Sequence, residues 1–128
     1  VALLPYQPTA VYNVGFAIDV PTPEKARNGD YDKVVHPRQA ANLVLWADVF
    51  WIHPGDKLVF HLIGPKGKSL FTHEVKTSKL QARRFAYAGL PRTGEKWPSG
   101  KYKGEIRLVR GGADGLREFS AATTIELR

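Results

Sequence analysis

The stretch from Trp97 to Arg110 constrains the fold of this chain more than any other part of it. It reads WPSGKYKGEIRLVR, so a turn rich in proline and glycine leads into a run of alternating character. Tyr102, Ile106 and Leu108 share one side of an extended strand, and mostly Lys and Arg occupy the other. Alternation with a period of two places one face of a sheet in a core and the other in water. The stretch therefore predicts a half-buried β-strand with a basic outer face.

Other short runs of strand character lie along the chain. Residues 11–20 alternate apolar and polar positions, and Pro21 and Pro23 end the run. The most apolar run, NLVLWADVFWI at residues 42–52, fits a central strand that is buried on both faces or partly covered by residues 22–41. Further strands are predicted at residues 57–63, 69–77, 80–88 and 116–127. Turns that contain proline or glycine precede the first, second and last of them.

These patterns predict an all-β fold of about seven antiparallel strands with no sustained helix. An immunoglobulin-like or fibronectin type III-like sandwich fits them best, and a small closed barrel is the alternative. Tyr102 lies early in the penultimate strand, where such sandwiches often have a corner tyrosine. The long polar connection at residues 22–41 is expected to contain one helical turn, with Thr22 as the N-cap and Pro23 at the first helical position.

The length of 128 residues fits one domain, which we place at residues 11–128 after a lead-in segment at residues 1–10. The chain has no cysteine, which excludes disulfides and thiolate zinc sites, and no methionine, which suggests a processed or excised piece. It has no signal-peptide pattern and no apolar stretch near the ~20 residues that a membrane helix needs.

The net charge of +7 is unevenly distributed. Residues 57–110 contain 13 Lys and Arg against 3 Asp and Glu, whereas the rest of the chain is slightly acidic. This asymmetry suggests a polyanionic partner, such as a nucleic acid, an anionic lipid or an anionic cell-wall polymer. A solvated basic surface that serves only solubility is the alternative.

A candidate binding face follows if the strands at residues 80–88 and 101–110 lie side by side. Cations would then supply charge and aromatic rings would supply stacking. Trp46 and Trp51 are expected in the core, whereas Trp97 lies in a loop and either contacts a ligand or packs over the end of the sandwich. The candidate ligand-binding residues are Arg83, Arg84, Tyr87, Trp97, Lys101, Lys103 and Arg107.

The sequence contains no motif that indicates catalysis or a cofactor. His-x-His, His-Glu-x-x-His and Gly-x-Ser-x-Gly are all missing, and so is a phosphate-binding glycine loop. His61 and His73 flank the predicted hairpin and are expected to face each other across it, more simply as cross-strand neighbours than as metal ligands. A nucleic acid is the less favoured polyanion, because no helix–turn–helix or RNA-binding aromatic signature occurs.

Several segments, in this order, resemble the β-sandwich accessory domain that follows the catalytic domain in some bacterial lysostaphin-type zinc endopeptidases, which cut peptidoglycan. They are VYNVGF at residues 11–16, LVLW at 43–46, PGDKL at 54–58, GPKG at 64–67, QARRF at 81–85 and WPSGKYKG at 97–104. The peptidase zinc motifs, His-x-x-x-Asp and His-x-His, have no match, so no catalytic residue carries over.

The resemblance implies a periplasmic or envelope-associated location, with peptidoglycan or a peptidase domain as neighbour. We therefore expect a non-catalytic binding module that contacts a cell-wall glycan or another polyanion through its basic sheet face. The alternative is a purely structural domain that orients or stabilises a peptidase domain.

Overall fold

The computed structural model describes residues 10–112 and 115–128, and it describes side chains for residues 13–111 and 118–128. Nearly all of the predicted lead-in segment, residues 1–9, lies outside the described residues. The elements are β1 (Ala10–Ala17), α1 (Pro23–Arg27), β2 (Val35–His36), β3 (Asn42–Ile52), β4 (Lys57–Ile63), a short 3-10 turn (Pro65–Gly67), β5 (Ser69–Lys76), β6 (Gln81–Pro91), β7 (Gly100–Gly112) and β8 (Gly115–Leu127).

The described strands form two sheets. One has three strands in the order β1-β3-β6, and the other has five in the order β2-β8-β7-β4-β5. All neighbouring strands are antiparallel except the two-residue β2, which pairs parallel to the end of β8. The all-β sandwich is therefore confirmed, with β2 as the strand beyond the predicted seven. The immunoglobulin-like or fibronectin type III-like type stays a prediction.

The core lies between the inner faces of the two sheets. Alternate residues of β3 meet alternate residues of β4 and β7, as the period-two patterns predicted. Full burial of each such large apolar side chain contributes about 1.5–3 kcal/mol. Fully buried members of this core include Leu43, Leu45, Val49, Phe60, Leu62, Ile106 and Leu108.

The connection at residues 22–41 packs as a cap on the outer face of the three-stranded sheet. Thr22 Oγ1 accepts a hydrogen bond from the backbone N–H of Lys25 at 3.3 Å, so the predicted N-cap is confirmed. Ala26 of α1 packs against Trp46, whose ring also contacts those of Tyr31 and Phe85 at centroid distances of 5.9 and 5.7 Å. The cap explains why β3 is apolar on both faces.

Tyr102 adopts the geometry of a corner tyrosine. Its ring is buried at the start of β7, and its hydroxyl donates a hydrogen bond to the Pro98 carbonyl oxygen at 2.6 Å. Burial raises the pKa of the Tyr102 hydroxyl above its usual value, so the hydroxyl stays a donor. This bond ties the loop before β7 to the end of the sandwich.

Candidate functional site

The seven predicted binding residues do not share one face. Arg83, Arg84 and Tyr87 lie on β6 in the three-stranded sheet, whereas Lys101, Lys103 and Arg107 lie on β7 in the five-stranded sheet. β6 pairs with β3, and β7 pairs with β4 and β8. The predicted side-by-side arrangement is therefore wrong, because the two strands belong to opposite layers of the sandwich.

Arg83 is a half-buried side chain that pairs with a buried carboxylate. Its Nε and Nη2 donate to the two carboxylate oxygens of Asp48 at 3.0 and 2.5 Å, and its guanidinium lies 4.9 Å from the Phe50 ring centroid. Asp48 is only 1% exposed and also has Arg27 Nε at 3.6 Å. A buried carboxylate needs such partners, so Arg83 compensates a charge of the protein itself.

The neighbours of Arg83 on β6 do not form a basic patch with it. Arg84 is directly opposite Val49, on the face of the strand that looks toward the other sheet, and its Nη1 lies 3.5 Å from Gln81 Oε1. Tyr87 is 45% exposed on the outer face, directly opposite Trp46. Because adjacent residues of a strand point to opposite faces, Arg83 and Arg84 cannot present their charges together.

The outer face of β7 alternates as predicted, but carboxylates of β7 and β8 lie beside most of its cations. Lys103 Nζ lies 3.5 Å from Glu105 Oε2, and Arg107 Nη1 lies 3.5 Å from Glu118 Oε1 on β8. Lys101 is directly opposite Glu126. This face therefore mixes both signs of charge, which weakens its attraction for a polyanion.

Trp97 is 7% exposed and packs over one end of the sandwich, the second of the two roles considered from the sequence. Its indole Nε1 donates to the Ala40 carbonyl oxygen at 2.8 Å, and its ring meets that of Tyr102 edge-on at 6.4 Å. It is thus not an exposed stacking platform.

A cavity of about 730 Å³ opens beside Trp97 at this end of the sandwich, and we call it the basic groove. Its lining comes from Arg38 of the cap, from residues around the β4–β5 turn, from residues 90–99 other than Glu95, and from Tyr102 of β7. The residues around the turn are Gly64, Pro65, Lys66, Lys68 and Leu70. Its volume falls within the range of about 300–1,000 Å³ that is typical of ligand pockets.

Hydrogen bonds to backbone carbonyl oxygens hold the walls of the basic groove together. Trp97 N donates to Arg38 O at 2.8 Å, and Arg38 Nε donates to Trp97 O at 2.7 Å. Arg92 donates to the carbonyl oxygens of Gly94 and Gln39. Both arginines therefore fasten the cap to the loop before β7 and add positive charge to the wall.

The turn at residues 64–68 is fixed by its backbone. Lys66 and Gly67 have φ angles of 66° and 77°, which turn the chain sharply between β4 and β5. Pro65 packs against Gly100, where a side chain would meet Pro65 Cβ at 3.0 Å. This contact fixes the turn that carries Lys66 and Lys68 against the start of β7.

Positive charge in the basic groove is not compensated by carboxylates. Its lining includes five cations, Arg38, Lys66, Lys68, Arg92 and Lys96, and no Asp or Glu among the described residues. Glu95, the acidic residue of the segment at residues 90–99, is exposed beside the groove and is not a lining residue. In the part of the chain that the structure describes, none of the ion pairs involves Lys66, Lys68 or Lys96, the three rim lysines. The groove thus concentrates positive potential in a concave site, where focusing is strongest.

Of the residues that line the groove, the sequence singled out Trp97 as a binding candidate but none of the five cations, four of which it counted in the surplus of residues 57–110. The available signal was the placement of Lys66, Lys68 and Lys96 in turns rich in proline and glycine rather than in strands. What the sequence lacked was the contact between the β4–β5 turn, the loop before β7 and the cap.

His61 and His73 lie on opposite faces of their sheet, so the expectation that they face each other is wrong. In the register of β4 and β5, His61 is opposite Thr72, whereas His73 is opposite Phe60. His61 Nε2 lies 2.9 Å from Ser69 Oγ, and its Nδ1 lies 3.3 Å from Glu105 Oε1. The side chains of Ser69, His61 and Glu105 thus follow the order of a nucleophile, a base and a carboxylate. They lie on a solvated sheet surface, and among the described contacts no cavity or oxyanion donor accompanies them.

Among residues 10–112 and 115–128, no group of three or more His, Asp or Glu side chains is arranged to hold a metal ion. No helix in the same part of the chain is long and apolar enough to cross a membrane.

Trp51 differs from its expected place in the core. It is 42% exposed at the end of β3 opposite the basic groove, and its φ of 54° is uncommon for a bulky residue. Arg110 Nη2 donates to the Trp51 carbonyl oxygen at 3.2 Å and to the buried Asp56 Oδ2 at 2.8 Å. Burial acts to raise the pKa of the Asp56 carboxyl, but hydrogen bonds from Arg110 and the His53 N–H outweigh it and hold that pKa below its usual value.

No protein-family model matches the chain, and no curated protein is significantly similar to it in sequence. The resemblance to the accessory domain of lysostaphin-type endopeptidases therefore stays a prediction.

Proposed function

We propose that this chain is a non-catalytic, envelope-associated β-sandwich module that binds a cell-wall glycan or another polyanion through the basic groove. The observation that supports it most is the convergence of five cations, without a lining carboxylate, on one concave site. The groove replaces the basic sheet face as the proposed surface, because the cations of that face have carboxylates beside them. The envelope location rests on the resemblance of the sequence segments alone.

Charge in this groove is positioned for a ligand rather than for the fold. The three rim lysines are exposed and take part in none of the ion pairs of the described residues, so their removal leaves the core contacts intact. Arg38 and Arg92, by contrast, hold the groove walls. A bound carboxylate or phosphate would gain charge-assisted hydrogen bonds from the lysines, which are stronger than neutral ones.

Co-sedimentation with purified peptidoglycan sacculi across a salt series, with naked DNA as a parallel ligand, tests this proposal. We expect binding to sacculi that weakens as salt screens the exposed rim lysines but is still measurable at ~0.3 M salt, because the concave groove adds contacts other than charge. Binding to both polymers that disappears with salt would indicate only a generic cationic surface. Failure to bind either polymer would contradict the proposal and favour the structural domain that orients a peptidase.

A further inference from the structure

The basic groove combines its positive rim with an aliphatic floor. Leu70 and Leu90 pack against the core on one side and line the groove on the other, where they are only partly buried. Pro65, Pro91 and Pro98 extend this apolar lining. A ligand that covers such water-exposed apolar surface gains about 25 cal/mol of favourable binding free energy for each Å² covered.

Neither a bare polyanion nor a neutral apolar ligand would use both parts of the groove. A phosphate chain would meet the rim lysines but leave Leu70 and Leu90 in water. A hydrocarbon would cover the floor but leave the charge of the rim without a counter-charge. Trp97 is nearly covered by its own contacts, so the accessible floor is aliphatic rather than an aromatic stacking platform.

We propose that the basic groove binds an amphipathic anion, in which a carboxylate or phosphate group is attached to an aliphatic body. The anionic group lies between Lys66, Lys68 and Lys96, and the aliphatic body covers Leu70 and Leu90. The lysine ammonium groups suit this task because each is a compact charge with three donors on a flexible stem. The inference rests on the proposed function and names the chemical unit that the groove selects from its ligand.

Calorimetric titration with a series of monomeric straight-chain carboxylates, from butanoate to decanoate, tests the floor without any substitution. Each methylene that enters the groove is expected to strengthen binding by up to about fourfold, since burial of one CH₂ contributes about 0.8 kcal/mol. Octanol, which has no charge, is expected to bind at least about tenfold more weakly than octanoate. An affinity that stays flat along the series, or an alcohol that binds as well as the acid, overturns the inference.

A second titration, with phosphates, distinguishes an anion attached to an aliphatic body from a free anion. Octyl phosphate is expected to bind like the longer carboxylates, whereas inorganic phosphate is expected to bind at least about tenfold more weakly because it leaves the floor uncovered. Equal binding of the two would show that the groove takes a free anion only, which contradicts an amphipathic ligand.

Two triple variants with equal loss of charge locate the site. Lys66→Gln, Lys68→Gln and Lys96→Gln together are expected to weaken decanoate binding by about tenfold or more. Lys101→Gln, Lys103→Gln and Arg107→Gln together remove the same charge from the outer face of β7, where we expect little change. If the two variants lose affinity equally, the anion is not held in the basic groove.

These results also separate this inference from the proposed function. Binding to sacculi that needs the rim lysines, together with a flat carboxylate series, would retain the proposed function and overturn the amphipathic ligand. A rising series that needs the rim lysines, without any binding to sacculi, would retain the amphipathic site and contradict the glycan or polyanion partner.

Discussion

Individual cations of this chain fall into two groups that differ in their partners. Arg83 and Arg110 each donate two hydrogen bonds to a buried carboxylate, that of Asp48 and that of Asp56 respectively. Lys66, Lys68 and Lys96 have no such partner in the described chain and line a groove. If the proposed binding occurs, we expect a cation to contribute to it only where its charge is not already paired with a buried carboxylate.

Replacement of Arg83 by alanine should be costly for stability. It leaves Asp48 buried with only the more distant Arg27, so we expect the free energy of unfolding to fall by about 3 kcal/mol, the low end for a broken buried pair. Urea denaturation measures this change. The matched control is Arg107→Ala on the exposed pair with Glu118, which should cost about 0–1 kcal/mol. A loss as small as the control would contradict the structural role of Arg83.

His36 is expected to make stability depend on pH. Burial lowers the pKa of His36 below 6.5. The hydrogen bond from its ring to the Lys33 carbonyl acts in the opposite direction but only partly offsets this effect on the pKa. The unfolded chain thus takes up this proton more readily than the folded one, so stability is retained above pH 6.5 and decreases as the pH falls toward the folded pKa.

Urea denaturation from about pH 7.5 down to about pH 5 should show this decrease, with a slope of at most about 1.4 kcal/mol per pH unit from one group. His36→Gln should have a flatter profile over the same range. If wild type and His36→Gln change in parallel, His36 is not the group responsible.

At the scale of single elements, local sequence was informative about strands and uninformative about their neighbours. The alternation of Tyr102, Ile106 and Leu108 predicted β7, and the N-cap residue Thr22 predicted the start of α1. Both features depend on residues close in sequence. Which strands pair depends on contacts between distant residues. For this reason the sequence did not reveal that Arg83 and Lys103 lie in different sheets rather than on one face.

The close contact of the two sheets at Gly104 gives a prediction for β7. A Cβ at this position would overlap the Leu45 side chain and lie 3.1 Å from Phe16 Cζ. We expect Gly104→Ala to lower the free energy of unfolding by about 1–3 kcal/mol, as overpacking of a core does. Gly94→Ala is the control, since its Cβ would meet no atom within 4 Å, and it should change stability by no more than about 0.5 kcal/mol. Equal effects in urea denaturation would contradict the close packing at Gly104.

At the scale of the whole molecule, the charge surplus suggests the proposed polyanionic partner but does not indicate which surface would bind it. Counting Lys and Arg along the chain cannot show that Glu105 and Glu118 lie beside the cations of β7. Nor can it show that the cap, the β4–β5 turn and the loop before β7 meet at one end of the sandwich. The groove forms only because segments that are distant in sequence come into contact, and the sequence does not show those contacts.

The most direct test of this account compares the two triple variants in the sacculi assay. The account predicts that Lys66→Gln, Lys68→Gln and Lys96→Gln together reduce binding by at least about tenfold. The triple Lys101→Gln, Lys103→Gln and Arg107→Gln, with the same net charge, should bind nearly as well as wild type. Equal losses would show that binding follows net charge alone, and a greater loss in the second variant would return the site to the outer face of β7.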